Sequence, residues 1–404
     1  MASGLTAMAA VVDGFRTQGL PVDFLNPTRS AGDGVTVGAD LDDGALVLLS
    51  GFFEGGNEVR LIRRDGSIVA RWPVDYYTLF PDRSYLAIVP QSTLKVDTHG
   101  ALITPEGDVV FNFEYVGTVK LDLCGGVKWA LASRTHHAVE FAGNGGYWVL
   151  GRDWVGPGEM PFPPFIGPAN EDTLLRLSPE GKVVERLSIP AAVYGAGLGQ
   201  LMTANGAIID LDTWDMELLH ANAVAELSAE RAAAFPMFAP GDLLVSERTM
   251  NVIFVIDRQT GLVKWHKQGP FVRQHDAEFG ADGRIHLFNN NTFIALDAMS
   301  LAAGGGAISN LMAINPATGE VEVVFGDKPG QEMWSTIRGK QDGLAHGGWL
   351  ITEFAGGRVL EVGPSGDILW SYVNTYDENH TAEITQARLL PDGYFTVDDW
   401  SCTP

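Results

Sequence analysis

A glycine-centred turn between two short runs of β-branched and aromatic residues recurs along the whole chain. A repeat of that kind commits a sequence to antiparallel strands before any other feature is weighed. Asp65-Gly66 separates Leu61-Ile62 from Ile68-Val69, and Glu106-Gly107 separates Leu102-Ile103 from Val109-Val110-Phe111. Glu180-Gly181, Thr260-Gly261, Thr318-Gly319 and Ser365-Gly366 divide further pairs in the same way. Glycine takes the positive φ that such tight turns demand. Most of these hairpins follow another of the same grammar, as at Asn144-Gly145 after residues 137–141 and Asp282-Gly283 after residues 275–279. Two hairpins in succession make a four-stranded sheet. Six such sheets, with 41 to 80 residues between turn glycines, predict an all-β fold, a six-bladed β-propeller of four-stranded antiparallel blades. The tail, residues 387–397, is a first hairpin without a second; pairing it with residues 45–49 closes the ring, whereas counting it as a further sheet makes seven blades.

Composition agrees and excludes several partners. The 48 glycines and 21 prolines show no three-residue period, which points to many short strands and turns. With 27 basic against 50 acidic residues the formal charge is −23, and no basic cluster offers the phosphate contacts that nucleic acid or an anionic membrane requires. No apolar run approaches the roughly 18 residues of a membrane span, and Met1-Ala2-Ser3-Gly4 lacks the basic-then-apolar layout of a secretory leader. The expected organisation is an irregular segment over 1–30, with a short helix at 7–15, followed by the propeller over 31–404. Long loops are expected at 156–170, 226–240 and 297–306, where access to a rigid ring is usually controlled. Cys124 and Cys402 fit neither a metal set nor a disulfide framework; one bridge between the ends of the ring and two inert thiols both remain open.

Counting back from the turn glycines converts position into geometry. His137 lies eight residues before Gly145 and His275 eight before Gly283, so both begin an innermost strand and face the axial channel. His220 begins the corresponding strand of the blade between them. The same count reaches Gly339 and Thr385 in two other blades, which confines these histidines to one side of the ring. His99, His266, His286 and His346 are expected to be structural or surface groups. Three imidazoles raise the alternative of a bound metal, but no close-spaced ligand signature occurs, and Asp276 should point away from its neighbour His275 in a regular strand. The expectation is therefore no metal and no cofactor. No G-x-S-x-G elbow is present either. Arg248 follows the strand 243–247 of the blade that carries His220, which puts a guanidinium at the same channel mouth unless it pairs with an acid such as Glu247. Imidazoles with an arginine suit a tetrahedral oxyanion, and their mutual repulsion keeps a ring nitrogen unprotonated and nucleophilic.

The segments Thr135-His136-His137, Leu219-His220-Ala221-Asn222, Leu244-Val245-Ser246-Glu247-Arg248 and Gln274-His275-Asp276, in this order, resemble the bacterial arylsulfate sulfotransferase family, a six-bladed propeller. So do residues 351–358 and Tyr372-Val373-Asn374, and the likeness runs over roughly residues 40–400. The resemblance implies transfer of a sulfuryl group from a phenolic sulfate ester to a second phenol, ping-pong, without a nucleotide donor. It implies that His275 becomes a sulfohistidine, that His220 and Arg248 hold the sulfuryl oxygens, and that His137 serves in acid-base work or sulfate binding. Asn222 is expected to orient the sulfate, with His136 beside it as a substrate contact. The aromatic stretch 154–165 could stack phenol rings. The implied partners are a small aryl sulfate and a phenolic acceptor, with a homodimer left open; a periplasmic or secreted location is implied by the resemblance alone. A non-catalytic ligand- or protein-binding propeller and a metal-dependent lactonase are the competing readings.

Overall fold

The run Leu46-Val47-Leu48-Leu49 is apolar without alternation because its strand is buried on both faces. Leu48 packs toward one neighbouring blade with Leu61 and Phe111, while Val47 and Leu49 pack toward the other with Val359 and Trp370. That double burial is what a ring of radially stacked sheets requires. The computed structural model describes all residues except 1–23, 87, 91, 160, 164, 166, 203–216, 293–308 and 403–404; the helix expected at 7–15 and the loop at 297–306 lie outside the described residues.

Six antiparallel sheets make six blades. From the centre outwards, blade one is Ile384–Leu390, Leu46–Phe53, Gly56–Arg63 and Ile68–Pro73; blade two is Thr98–Ile103, Val109–Phe113, Gly117–Leu121 and Val127–Leu131. Blade three is Thr135–Phe141, Tyr147–Val155, Ala169–Leu177 and Val183–Ser188, and blade four Ala221–Glu226, Leu243–Glu247, Val252–Ile256 and Val263–Gln268. Blade five is His275–Phe279, Ile285–Asn289, Asn310–Ile314 and Val321–Phe325. Blade six is Lys340–Gly343, Trp349–Glu353, Arg358–Val362 and Ile368–Val373, with Gly34–Val37 added on its outer edge as a fifth strand.

Ring closure follows the expected pairing. Leu389 lies opposite Val47 and Ala387 opposite Leu49, so the last strand becomes the innermost strand of the first blade and no sheet edge is left open there. The tail does not return as a hairpin after Asp392-Gly393. Instead Tyr394, Phe395 and Trp400 pack on the apolar interface of blades one and two, and a disulfide joins Cys402 to Cys124 in the outer turn of blade two. Apolar clusters fill every interface between blades. Outer-strand tryptophans repeat one contact: Trp72, Trp129, Trp265 and Trp370 each donate their indole N–H to a backbone carbonyl of the next blade, at Asp122, Pro179, Pro316 and Arg64. A buried indole keeps its polar end satisfied in this way.

Candidate active site

Five of the six innermost strands do not start as regular strands. Register slips between Thr98 and Ala101, His136 and Val139, Ala221 and Ala223, His275 and Glu278, and Ile384 and Gln386. A bulge adds a residue to one strand and re-aims its side chains. His137 sits in the left-handed region at φ 54°, and the Asn112 amide holds the bulge by donating to the carbonyls of His137 at 3.2 Å and Ala138 at 3.3 Å. Asp276, at φ 54°, turns to blade six, where its carboxylate takes Lys340 Nζ at 2.8 Å and the Gln341 N–H at 2.7 Å.

These bulges gather the imidazoles. The His137 ring lies 5.1 Å from that of His220 and 6.2 Å from that of His275, with His136 at 5.0 Å and His99 at 4.2 Å. All five are buried. Arg248 Nη2 reaches 3.3 Å from His220 Nδ1. The structure thus brings His137, His220, Arg248 and His275 together, with His136 directly behind His137. Glu247 does not claim Arg248; its carboxylate accepts the backbone N–H groups of His220, Thr249 and Met250 at 2.8–2.9 Å. Asn222, buried two residues beyond His220, donates from Nδ2 to the Gln274 carbonyl at 2.8 Å and ties blade four to blade five.

Hydrogen bonding defines the protonation of His275. Asn290 donates Nδ2 hydrogens to the carbonyls of Ser335 and Arg338 at 2.9 and 2.8 Å, so the Asn290 oxygen that meets His275 Nδ1 at 2.7 Å can only accept. Nδ1 therefore carries the proton. Nε2 keeps its lone pair and accepts a long 3.3 Å contact from the Arg338 N–H. Burial, then the nearby Arg248 charge, holds the His275 pKa well below that of a free imidazole. His137 is lowered in the same direction by burial and by His99 and His136, and His99 by burial and Arg338. His220 is pushed down to about 4 by burial and Arg248, against the pull of Glu217. Imidazoles whose charged forms are disfavoured by burial, beside a guanidinium, make an environment that an entering anion relieves.

His99 was expected to be structural, and the structure puts it in the cluster. It too lies eight residues before a turn glycine, Gly107. In sequence the turn at Gly107 reads as an outer hairpin, whereas it joins the two inner strands Thr98–Ile103 and Val109–Phe113. Sequence reasoning also missed Arg338, whose guanidinium is held by Asp97 at 2.5 Å and by Glu114. His286, His346 and His380 are paired with Asp282, Glu361 and Asp377 away from the cluster. Ligand atoms of His99, Glu114 and His137 lie within 4.8 Å of one another, but the Glu114 oxygen is already bound to Arg338, and these three are not assigned as metal ligands. In the aromatic stretch, Phe162 is buried against Ala169 and Leu218 and packs on Tyr194 at 5.5 Å, so it fills its own loop; Trp154 is exposed. The loop 226–240 lies at the far end of its strand from His220, where Phe235 and Phe238 plug the interface of blades four and five.

Fold and site together define a β-propeller with a buried cluster of imidazoles, completed by a guanidinium, at the starts of its inner strands. The chain belongs to the arylsulfotransferase (ASST) family, whose model matches residues 100–375. Membership supports an arylsulfotransferase-type function on small-molecule substrates. No curated protein matches the sequence. Among solved structures, a protein of unknown function from Bacteroides caccae aligns at 13% identity over 85% of this chain and 98% of that one, with a TM-score of 0.52, and shows the shared fold alone. A virginiamycin B lyase from Staphylococcus aureus aligns at 14% identity over 87% of this chain and 89% of that one, with a TM-score of 0.43.

Proposed function

We propose that the protein transfers a sulfuryl group from an aryl sulfate to a phenolic acceptor through a sulfohistidine at His275, in two half-reactions and without a nucleotide donor. The observation that carries this reading is the tautomer of His275: a buried imidazole with Nδ1–H held by an amide oxygen and its Nε2 lone pair free of a proton. That is the nucleophile a two-step transfer needs.

In the first half-reaction the Nε2 lone pair forms the N–S bond, the S–O(aryl) bond breaks, and its electron pair leaves on the phenol oxygen, which takes a proton from an imidazolium of the cluster. Asn290 can accept a hydrogen bond but cannot remove the Nδ1 proton, so the sulfonated ring carries a positive charge. That charge keeps the N–S bond labile for the second half-reaction, in which the acceptor phenol gives its proton back to the cluster and its oxygen takes the sulfuryl group. Arg248 and His220 hold the sulfuryl oxygens as charge builds on them; an anion in the pocket raises the proton affinity of His220, and the Glu217 carboxylate on its Nδ1 at 2.7 Å supports that charged form. Asn222 has a second amide hydrogen to offer a sulfuryl oxygen. His137 faces both partners and serves as acid and base, with His136 behind it.

The test is incubation with a chromogenic aryl sulfate, with and without a second phenol and with no nucleotide. Intact-mass measurement should show one added SO3 group on the protein, lost when the phenol is supplied. His275→Ala should fold and show neither the adduct nor turnover. Full turnover by His275→Ala, or no transfer by the wild type over a range of pH and phenols, overturns the reading.

A further inference from the structure

Behind the imidazole cluster lies a second layer of charge that the transfer scheme does not use. Arg152 is buried at 3% exposure; its Nε meets Asp172 Oδ1 at 2.9 Å and its Nη1 meets Glu217 Oε1 at 2.6 Å. The guanidinium also stacks over Tyr115 at 4.5 Å, and Tyr115 stacks on His136 at 4.9 Å. Each carboxylate has a second oxygen or a second partner directed at the pocket layer. Glu217 Oε2 takes His220 Nδ1 at 2.7 Å. Asp172 Oδ2 takes the Ala221 N–H at 2.8 Å, and Asp172 Oδ1 stands 3.6 Å from His136 Nε2. His136 Nδ1 then lies 2.7 Å from His137 Nδ1. Two ring nitrogens at that distance share one hydrogen, because two lone pairs or two N–H groups would repel.

The proton inventory follows from these contacts. One guanidinium and two carboxylates leave the hub with one negative charge in excess, which one imidazolium balances. Asp172 Oδ1 stands beyond hydrogen-bond distance of His136 Nε2, but its charge favours the hydrogen on that nitrogen; His136 Nδ1 is then the acceptor and His137 Nδ1 the donor. The remaining nitrogen of the pair, His137 Nε2, is where an extra proton is gained or released. The groups facing the pair are Arg152 and Asp172 from blade three, His99, Glu114 and Tyr115 from blade two, His220, Glu217 and Arg248 from blade four, His275 from blade five, and Arg338 and Lys340 from blade six. Of the acids among them, Glu114 is taken by Arg338, which leaves Asp172 and Glu217 to balance the imidazoles. Although burial opposes it, Arg152 and His136 hold Asp172 in its charged form, and His220 and Arg152 do the same for Glu217.

We propose that Arg152, Asp172 and Glu217 form a positioning hub that holds one proton on the His136–His137 pair once the anionic ester is bound and orients it, through His136, so that His137 Nε2–H protonates the departing phenol oxygen. The inference deepens the sulfuryl-transfer reading and rests on it for the identity of the proton acceptor. In the first half-reaction His137 Nε2 loses its proton to the phenolate oxygen as the S–O bond breaks, and the pair falls from three ring hydrogens to two; the acceptor phenol restores the third. Asp172 and His136 act only through His137 and are positioning residues.

Leaving-group dependence tests this directly. Rates of sulfo-enzyme formation are measured for wild type and Asp172→Asn with phenyl sulfate, whose phenoxide is a poor leaving group, and 4-nitrophenyl sulfate, whose phenoxide departs with little help. The expected loss is about 100-fold with phenyl sulfate, the range of one general acid, and at least about tenfold smaller with 4-nitrophenyl sulfate. An equal loss with both esters overturns the proposal, since a purely structural role for Asp172 would produce it. The second measurement needs neither turnover nor the variant. In wild-type protein with 15N-labelled histidine, one-bond and long-range NMR couplings should report His136 as the Nε2–H tautomer and His137 as the Nδ1–H tautomer when the pair is neutral. The reverse pair of tautomers overturns the hub even if Asp172→Asn does not fold. If no aryl sulfate modifies His275 in the wild type, the transfer reading fails while the tautomers still decide the hub.

Discussion

Gly100 stands where a Cβ atom would come within 2.5 Å of both the His137 carbonyl oxygen and the Val139 amide nitrogen. Blade two thus leaves a gap into which the bulge of blade three settles, and the left-handed turn at His137 depends on it. Both obstructing atoms are backbone and cannot rotate away. Gly100→Val is expected to destabilise the protein by about 1–3 kcal/mol, the usual range for forced overpacking, and to reduce sulfo-enzyme formation out of proportion to that loss. Thermal unfolding and mass-resolved sulfonation check the two effects, and a variant with wild-type values in both would contradict the role given to the gap.

Asn290 controls which nitrogen of His275 is free. Asn290→Ala removes the shorter of the two acceptor contacts at Nδ1, leaving the Arg273 carbonyl at 3.1 Å, and takes one donor from each of the Ser335 and Arg338 carbonyls. The expected result is a drop in sulfonation rate of about 10–100-fold, the scale on which loss of an orienting partner affects a ligating or reacting imidazole. The 15N signature of His275 should shift from a single Nδ1–H tautomer to a mixture. An unchanged tautomer would remove Asn290 from the scheme.

The pH response of the nucleophile differs from that of an ordinary imidazole. A histidine of pKa near 6.5 loses about nine-tenths of its neutral form one unit below that value. Burial and Arg248 hold His275 well below 6.5. A depressed pKa means that the neutral form persists as pH falls, so sulfonation by an activated ester such as 4-nitrophenyl sulfate should stay level between pH 7.5 and pH 5.5. A tenfold decline over that window would show that His275 titrates as a free imidazole does.

Closure of the ring is both hydrogen-bonded and covalent. The strand Ile384–Leu390 completes blade one, and the disulfide pins the tail beyond it to blade two across 278 residues of sequence. Reduction, or Cys402→Ser, is expected to cost on the order of 4 kcal/mol, since cross-linking a long loop constrains the unfolded chain most. The site lies at blades two to six and should keep its activity below the lowered melting temperature. Calorimetry with and without reductant measures the difference; equal melting temperatures would show that the strand pairing alone holds the ring.

What the amino-acid order determined is local. A turn glycine between β-branched runs needs only a few neighbours to act, so the blades, the closing strand and the inner-strand starts at His137, His220 and His275 could be read from spacing. The same counting would have reached His99, had the turn at Gly107 been placed on the inner pair of strands; nothing within that hairpin distinguishes inner from outer, because both have the same turn grammar. The rest depends on contacts between blades. His275 owes its tautomer to Asn290, whose own partners lie 45 and 48 residues further along; Arg152 reaches Glu217 across 65 residues, and Cys124 reaches Cys402 only when the ring is shut. Asp276 does point away from His275, as alternation gives, but that it meets Lys340 and Gln341 of blade six is decided by the bulge and by the neighbouring blade. Backbone preference and period specify a strand and its faces, but which imidazole nitrogen holds a proton is decided by groups that meet only after six sheets have packed around one axis.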